Sequence, residues 1–299
     1  MHKVIFLIFI VISLTGSLKA DKWELAWSEE FNYTGLPDSD KWTYEEGFVR
    51  NAEMQYYTKA RKENVRVENG VLIIEGKKEE FSIPQNKKKQ GDSKKTKIAH
   101  YTSGSINTRG KAAFLYGRIE VRAKLPFGKG VWPAIWMMGV NRTDTGWPYC
   151  GEIDIMEYVG KDPHKIHACC HFANPDIKNK SSSIKELHKK SADNSITIQD
   201  PYNNFHIYAI EWDKKEIKFF VDDKHYSTLN IDIAGKGSNN PFRKPHYLLL
   251  NFALGGSWGG RIDDSILPKK YKIDYVRYYR KKIETHSPVI RKNSSKKIQ

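Results

Sequence analysis

Short alternating segments closed by turn-forming residues constrain this chain most. Residues 65–68 (VRVE) and 71–74 (VLII) flank Asn69-Gly70, a pair that accepts positive φ at both centres of a type I′ turn, so they predict a hairpin. Residues 117–125 (GRIEVRAKL) put Ile119, Val121, Ala123 and Leu125 on one side of a strand. Residues 204–212 (NFHIYAIEW) and 216–221 (EIKFFV) are joined by a polar turn, 246–254 (HYLLLNFAL) is apolar enough for a buried strand, and 273–280 (IDYVRYYR) alternates again. One short helix is expected within 182–197. Strands at this spacing, without strand–helix alternation, predict an all-β sandwich or barrel.

Charge and the termini narrow the class. The 299 residues carry a net charge of +15, which raises the question of nucleic acid. Residues 86–97 contribute +5, residues 281–299 another +5, and Lys3 with Lys19 a further +2. The remaining +3 is spread over about 250 residues, and neither basic run holds an aromatic ring on which a base would stack. Both runs read as solvated lysine segments, the first as a loop insertion over 85–97 and the second as a basic, disordered tail. No nucleic-acid partner is expected. Residues 4–14 are apolar but for Ser13, follow a charged start and precede a short segment ending at the small residue Ala20. That order predicts a secretory signal over 1–20 and a secreted protein. No other stretch approaches the ~18 apolar residues of a membrane-spanning helix. Three cysteines, Cys150, Cys169 and Cys170, allow one disulfide at most.

Residues 151–158 (GEIDIMEY) carry the chemistry. Alternation puts Glu152 and Asp154 on one face and Ile153 and Ile155 on the other. Strict alternation would then drive Glu157 into the apolar core, at a cost of several kcal/mol for an unpaired carboxylate. One extra residue, a β-bulge at Ile155–Met156, returns Glu157 to the acidic face and turns Met156 inward. Three acids in one row fit a solvated acidic face, a cation site, or glycoside hydrolysis, in which two carboxyl groups flank the scissile bond and a third tunes their protonation.

The flanking segments favour a sugar. In residues 130–138 (GVWPAIWMM), Trp132, Ala134 and Trp136 share a face, an aromatic wall suited to the flat apolar side of a pyranose. In residues 166–172 (IHACCHF), Ile166, Ala168, Cys170 and Phe172 form the core set and His171 faces outward. Vicinal Cys169 and Cys170 point to opposite faces, the wrong geometry for a shared tetrahedral zinc.

With these runs in view, the chain resembles glycoside hydrolase family 16, in particular bacterial laminarinase-like endo-β-1,3-glucanases. The resemblance is carried by WPAIWMMG (132–139), WPYCGEIDIMEYVG (147–160), NFHIYAIEWD (204–213), LNFALGGSWGG (250–260) and IDYVRYY (273–279), with NAEMQYYT (51–58) and ENVRVENGVLII (63–74). It spans about Trp23 to Arg280, within an expected catalytic domain over 21–280.

The resemblance implies a β-jelly-roll sandwich of two antiparallel sheets, concanavalin A-like, with a concave cleft. It implies Glu152 as nucleophile, Glu157 as general acid and then base, and Asp154 as modulator, with retention at the anomeric carbon. The bulged form of the motif goes with laminarinases, agarases and carrageenases. Trp132 and Trp136 match sugar-stacking positions, Asn51 and His171 match polar contacts near the cleaved bond, and Trp258 falls in a cleft-rim loop. No cofactor is expected for catalysis. A structural Ca²⁺ would fall at Asp274 with backbone oxygens near Glu30 and Gly76. The expected substrate is β-glucan and the expected state a monomer. A galactan substrate, transglycosylation and non-catalytic glucan binding are the alternatives, and whether Cys150, Cys169 and Cys170 form a disulfide, such as Cys150–Cys169, is left open by the sequence.

Overall fold

The computed structural model describes residues 22–84, 97–176 and 189–282. The signal segment, nearly all of the lysine-rich insertion and almost the whole basic tail lie outside the described residues. Among the described residues, two sheets face each other.

The larger sheet has ten strands. Its path runs β15 (Lys224–Asn230), β14 (Glu216–Val221), β13 (His206–Trp212), β8 (Gly117–Lys124), β17 (Lys269–Lys281), β5 (Val71–Ser82), β6 (Ile98–Ser103) and β3 (Tyr56–Tyr57), with β1 (Trp23–Glu29) on β17 and β4 (Val65–Glu68) on β5. The smaller sheet has seven, in the order β12 (Lys189–Thr197), β11 (Lys165–Ala173), β10 (Glu152–Glu157), β9 (Val131–Gly139), β16 (His246–Leu254), β7 (Ser105–Asn107) and β2 (Thr43–Tyr44). Apart from the short parallel β3–β6 pair, the pairings are antiparallel. This is the expected jelly-roll sandwich.

The expected hairpin is there, with Val65 opposite Ile74 and Glu68 opposite Val71. Asn69 at φ 54° and Gly70 at φ 75° supply the two left-handed residues that the turn requires. The core is the set of side chains the two inner faces present to each other. Ile119, Val121 and Ala123 of β8 and Tyr208, Ile210 and Trp212 of β13 meet Ile153, Ile155 and Met156 of β10 and Leu248, Leu250, Phe252 and Leu254 of β16 in one buried cluster.

The expected helix over 182–197 is not found in its described part. Residues 189–197 form β12, paired with β11 from Lys165↔Thr197 to Ala173↔Lys189. The free edge of β11 offers a full ladder of backbone partners, and that outweighs the weak helical preference of the segment. Residues 182–188 lie outside the described residues.

Candidate active site

The outer face of the smaller sheet carries the acids, and the register shows how. On β9, Asp154 lies opposite Trp136 and Glu157 opposite Ala134, so three residues of β10 span two of its neighbour. The same shift appears on β11, where Asp154 faces Cys169 and Glu157 faces His167. The extra residue is the β-bulge expected from burial. Ile155 and Met156 are both in the core, and Glu152, Asp154 and Glu157 all line one cleft floor.

Each acid has a defined surrounding. Trp147 Nε1 donates to Glu152 Oε2 at 2.7 Å. Trp132 Nε1 donates to Glu157 Oε1 at 3.1 Å. Asp154, 3% exposed, lies between them, with its Oδ2 3.3 Å from His171 Nε2. Burial pushes the Asp154 carboxyl well above the usual range, the charges of Glu152 and Glu157 push the same way, and a hydrogen bond with Glu152 adds to them. A protonated Asp154 leaves Glu152 able to carry negative charge without two anions in contact.

The cleft above the acids encloses about 470 Å³ and is lined by Asn51, Trp132, Trp136, Trp147, His171 and Trp258 together with the two glutamates. Trp132 and Trp258 meet edge to face, centroids 5.5 Å apart. Asn51, at φ 55°, accepts the Ser257 backbone N–H at 2.9 Å, which ties the loop before β3 to the short helical turn α1 (Gly256–Gly259) that carries Trp258. His171 is held from behind by Ser191 Oγ, 2.7 Å from its Nδ1. Trp136 belongs to the floor more than to the wall: the Arg50 guanidinium sits 4.9 Å over its ring, and its Nε1 donates to Asn251 Oδ1 at 2.7 Å.

Four cleft residues had no role in the sequence reading. Trp147 stands five residues before Glu152, in the run that carried the resemblance, and its direction is set by the turn that follows it. Arg50 is ion-paired with Glu45 beneath the cleft. Glu53 accepts from Gln55 Nε2 at 2.7 Å and from Tyr57 Oη at 3.0 Å. Asp193 reaches the rim from β12, where a helix had been expected. No local pattern marks Arg50, Glu53 or Asp193, because their place in the cleft is set by pairing between distant segments.

Cys150, Cys169 and Cys170 are all free. Cys150 lies in the turn before β10, whereas Cys169 sits on β11 opposite Asp154. Cys150 is instead fully buried beside Met138, sulfur to sulfur 3.3 Å.

The Ca²⁺ donor set does not assemble. Gly76 pairs with Lys269, five positions or roughly 16 Å along β17 from Asp274, and it packs toward Phe252 and Leu254. The Asp274 carboxylate is bound by Arg122, and Glu30 is gripped by Arg277 at 2.8 and 2.9 Å. The Glu30 contacts concern its side chain and not the backbone oxygen expected to bind, but the distance of Gly76 from Asp274 and the hold of Arg122 on the Asp274 carboxylate mean that these three residues do not fit the ion together.

A jelly-roll sandwich with a carboxylate row on one sheet face, indole donors on its two glutamates and tryptophans along the cleft defines a glycoside-cleaving hydrolase. The chain belongs to the glycosyl hydrolases family 16, whose sequence profile matches residues 53–277. It is 41% identical to a β-glucanase of Rhodothermus marinus over 295 residues, covering 94% of this chain and 95% of that one. The solved laminarinase structure from Rhodothermus marinus superposes with a TM-score of 0.73 at 40% identity, over 87% of this chain and 98% of the other. A solved endo-acting O-glycanase from the human gut microbiota, of a group that initiates mucin breakdown, superposes with a TM-score of 0.76 at 38% identity, over 87% and 91%.

Proposed function

We propose that the chain is an exported endo-β-1,3-glucanase that hydrolyses β-glucan by double displacement with retention. Glu152 attacks the anomeric carbon while Glu157 protonates the leaving oxygen, giving a covalent glycosyl-enzyme. Glu157 then takes a proton from water, which attacks the same carbon and releases Glu152. Trp132, Trp258 and Trp147 supply ring faces and edges for the sugars, and Asn51 and His171 supply polar contacts beside the cleaved bond.

The observation that carries the assignment of roles is the buried Asp154, which burial and its neighbours favour in the protonated form, hydrogen-bonded with Glu152. A donor at that position stabilises an ionised Glu152, the form a nucleophile needs. The β-glucanase and laminarinase similarities support the choice of substrate.

Laminarin hydrolysis followed by NMR tests the reading. The first product expected is the β-anomer, and Glu152→Gln is expected to lose at least about 10³-fold in kcat. An α-anomeric product, or a fully active Glu152→Gln, overturns it.

A galactan or O-glycan substrate is the second reading, favoured by the similarity to the endo-acting O-glycanase. Parallel assays on laminarin, lichenan, agarose, carrageenan and mucin O-glycans separate the two.

A further inference from the structure

Beside the catalytic row lies Cys169, a thiol that hydrolysis does not use, next to two side chains of the site, Asp154 and His171. Cys169 and His171 occupy adjacent outward positions on β11, and Cys169 faces Asp154 across the ladder. One donor atom from each of Asp154, Cys169 and His171 lies within 4.8 Å of the other two. Cys169 Sγ is 3.8 Å from His171 Nδ1, and His171 Nε2 is 3.3 Å from Asp154 Oδ2. Metal–ligand bonds of 2.0–2.3 Å hold tetrahedral donors about 3.3–3.7 Å apart, so small side-chain rotations close the set on one ion using one ring nitrogen.

Two observations favour a cation there. Asp154 Oδ2 is buried and makes no hydrogen bond among the described residues, although it lies 3.3 Å from His171 Nε2, so an unsatisfied oxygen is aimed into the cluster. The Cys169 thiol donates to Asp193 Oδ1 at 2.6 Å, so a fourth ligand stands next to the sulfur. The zinc geometry rejected on sequence required both vicinal cysteines. This set uses Cys169 alone, while Cys170 packs in the core. Mixed S, N and O donors suit zinc-class ions and not Ca²⁺ or Mg²⁺.

We propose that Asp154, Cys169 and His171, with Asp193 or water in the fourth position, bind a thiophilic divalent cation of the zinc class, and that the bound ion stops hydrolysis. On binding, the Cys169 S–H and Asp154 O–H bonds break, the electron pairs left on sulfur and oxygen go to the metal, and both protons go to solvent. Inhibition follows because the ion takes the Asp154 carboxylate and the His171 ring away from the reacting row. The inhibitory half rests on the proposed roles of the acids, whereas the binding half does not.

The test uses the purified full chain with cobalt(II) chloride and zinc chloride. One equivalent of cobalt is expected to give a sulfur-to-cobalt charge-transfer band with tetrahedral d–d absorption. Zinc, titrated calorimetrically, is expected to bind one to one with release of two protons, one from Cys169 and one from Asp154. Cys169→Ser loses the band and weakens zinc at least tenfold, while Cys150→Ser leaves both as they are. Zinc inhibits laminarin hydrolysis, chelation reverses the inhibition, and the half-inhibiting concentration rises at least tenfold in Cys169→Ser.

Absence of the band, or a band and zinc affinity unchanged in Cys169→Ser, overturns the site. Loss of the band with inhibition unchanged overturns the inhibitory half. If Cys169→Ser does not fold by circular dichroism, His171→Ala replaces it in the cobalt and zinc titrations, with the same loss expected. The cobalt spectrum decides the binding half even if the chain cleaves no β-glucan.

Discussion

Trp147 Nε1 donates to Glu152 Oε2 at 2.7 Å from a turn outside the sheet, so a rim residue holds the acid that begins β10. Trp132, inside β9, does the same for Glu157 at 3.1 Å. The two donors differ in setting. Trp147 is 37% exposed and Trp132 only 8%, so the Glu152 end of the row is open to water and the Glu157 end is walled by Trp132 and Trp258. A donor to an ionised carboxylate stabilises the charged form. Glu152 also shares a hydrogen bond with Asp154, so two groups hold that carboxylate in place.

Trp147→Phe keeps the ring and removes the N–H. A charged hydrogen bond is worth about 1.5–3 kcal/mol when buried and less on an open rim, so a loss of roughly 5–30-fold in kcat/KM is expected. The acid limb of the pH profile is expected to move to higher pH, because Glu152 loses a group that favours its ionised form. Michaelis–Menten profiles between pH 4 and 9 check this. An unmoved acid limb would mean that the contact only positions the ring.

Asp154→Asn is expected to trade activity for stability. The folded carboxyl has a raised pKa, whereas in the unfolded chain it titrates near 3.9. A carboxyl with a raised folded value contributes its stability fully below the unfolded pKa and loses it as pH rises through the folded one. The melting temperature of the variant minus that of the native chain is therefore expected to grow from about pH 4 upward, while kcat falls at least tenfold. Differential scanning calorimetry across pH 3–8 reads the difference. A gap that shrinks with rising pH contradicts the assignment.

The fold and most of the site were legible because both depend on local alternation. The Val65–Ile74 hairpin follows from Asn69-Gly70, and the bulge follows from the cost of burying Glu157 beside Ile153 and Ile155. What was not legible depends on pairing between distant segments. β12 became a strand because β11 presented an open edge. Arg50 reached Trp136 because the loop before β3 crosses the cleft floor. The misplacement of Gly76 is a register error: the spacing of β5 does not say which residue of β17 it faces, and only the pairing with Lys269 does.

Gly160, three residues past Glu157, closes the end of the row. A Cβ there would lie 1.7 Å from the Gly128 carbonyl oxygen, and its N–H donates to Val131 O at 3.0 Å, next to Trp132. Backbone cannot move aside as a flexible side chain can, so Gly160→Ala is expected to cost about 1–3 kcal/mol. That corresponds to a fall of roughly 3–10 °C in melting temperature for a chain of this size. Activity is expected to fall with it, because the shifted segment carries Trp132. A melting temperature within about 1 °C of native would show that the segment relaxes without strain.

The two walling tryptophans are separable by kinetics. Trp258 meets Trp132 edge to face and lies 4.9 Å, ring to ring, from His167, but its partners include no acid of the row. Trp258→Ala is expected to raise KM roughly 3–10-fold, the scale of one aromatic contact, with kcat changed less than about twofold. Trp132→Phe keeps the aromatic face and removes the N–H to Glu157. Without it the protonated acid persists to higher pH, so the alkaline limb of the pH profile is expected to move upward, and kcat at neutral pH changes more than KM. If both substitutions raise KM alone, Trp132 acts only as a stacking surface and its bond to Glu157 has no part in tuning the acid.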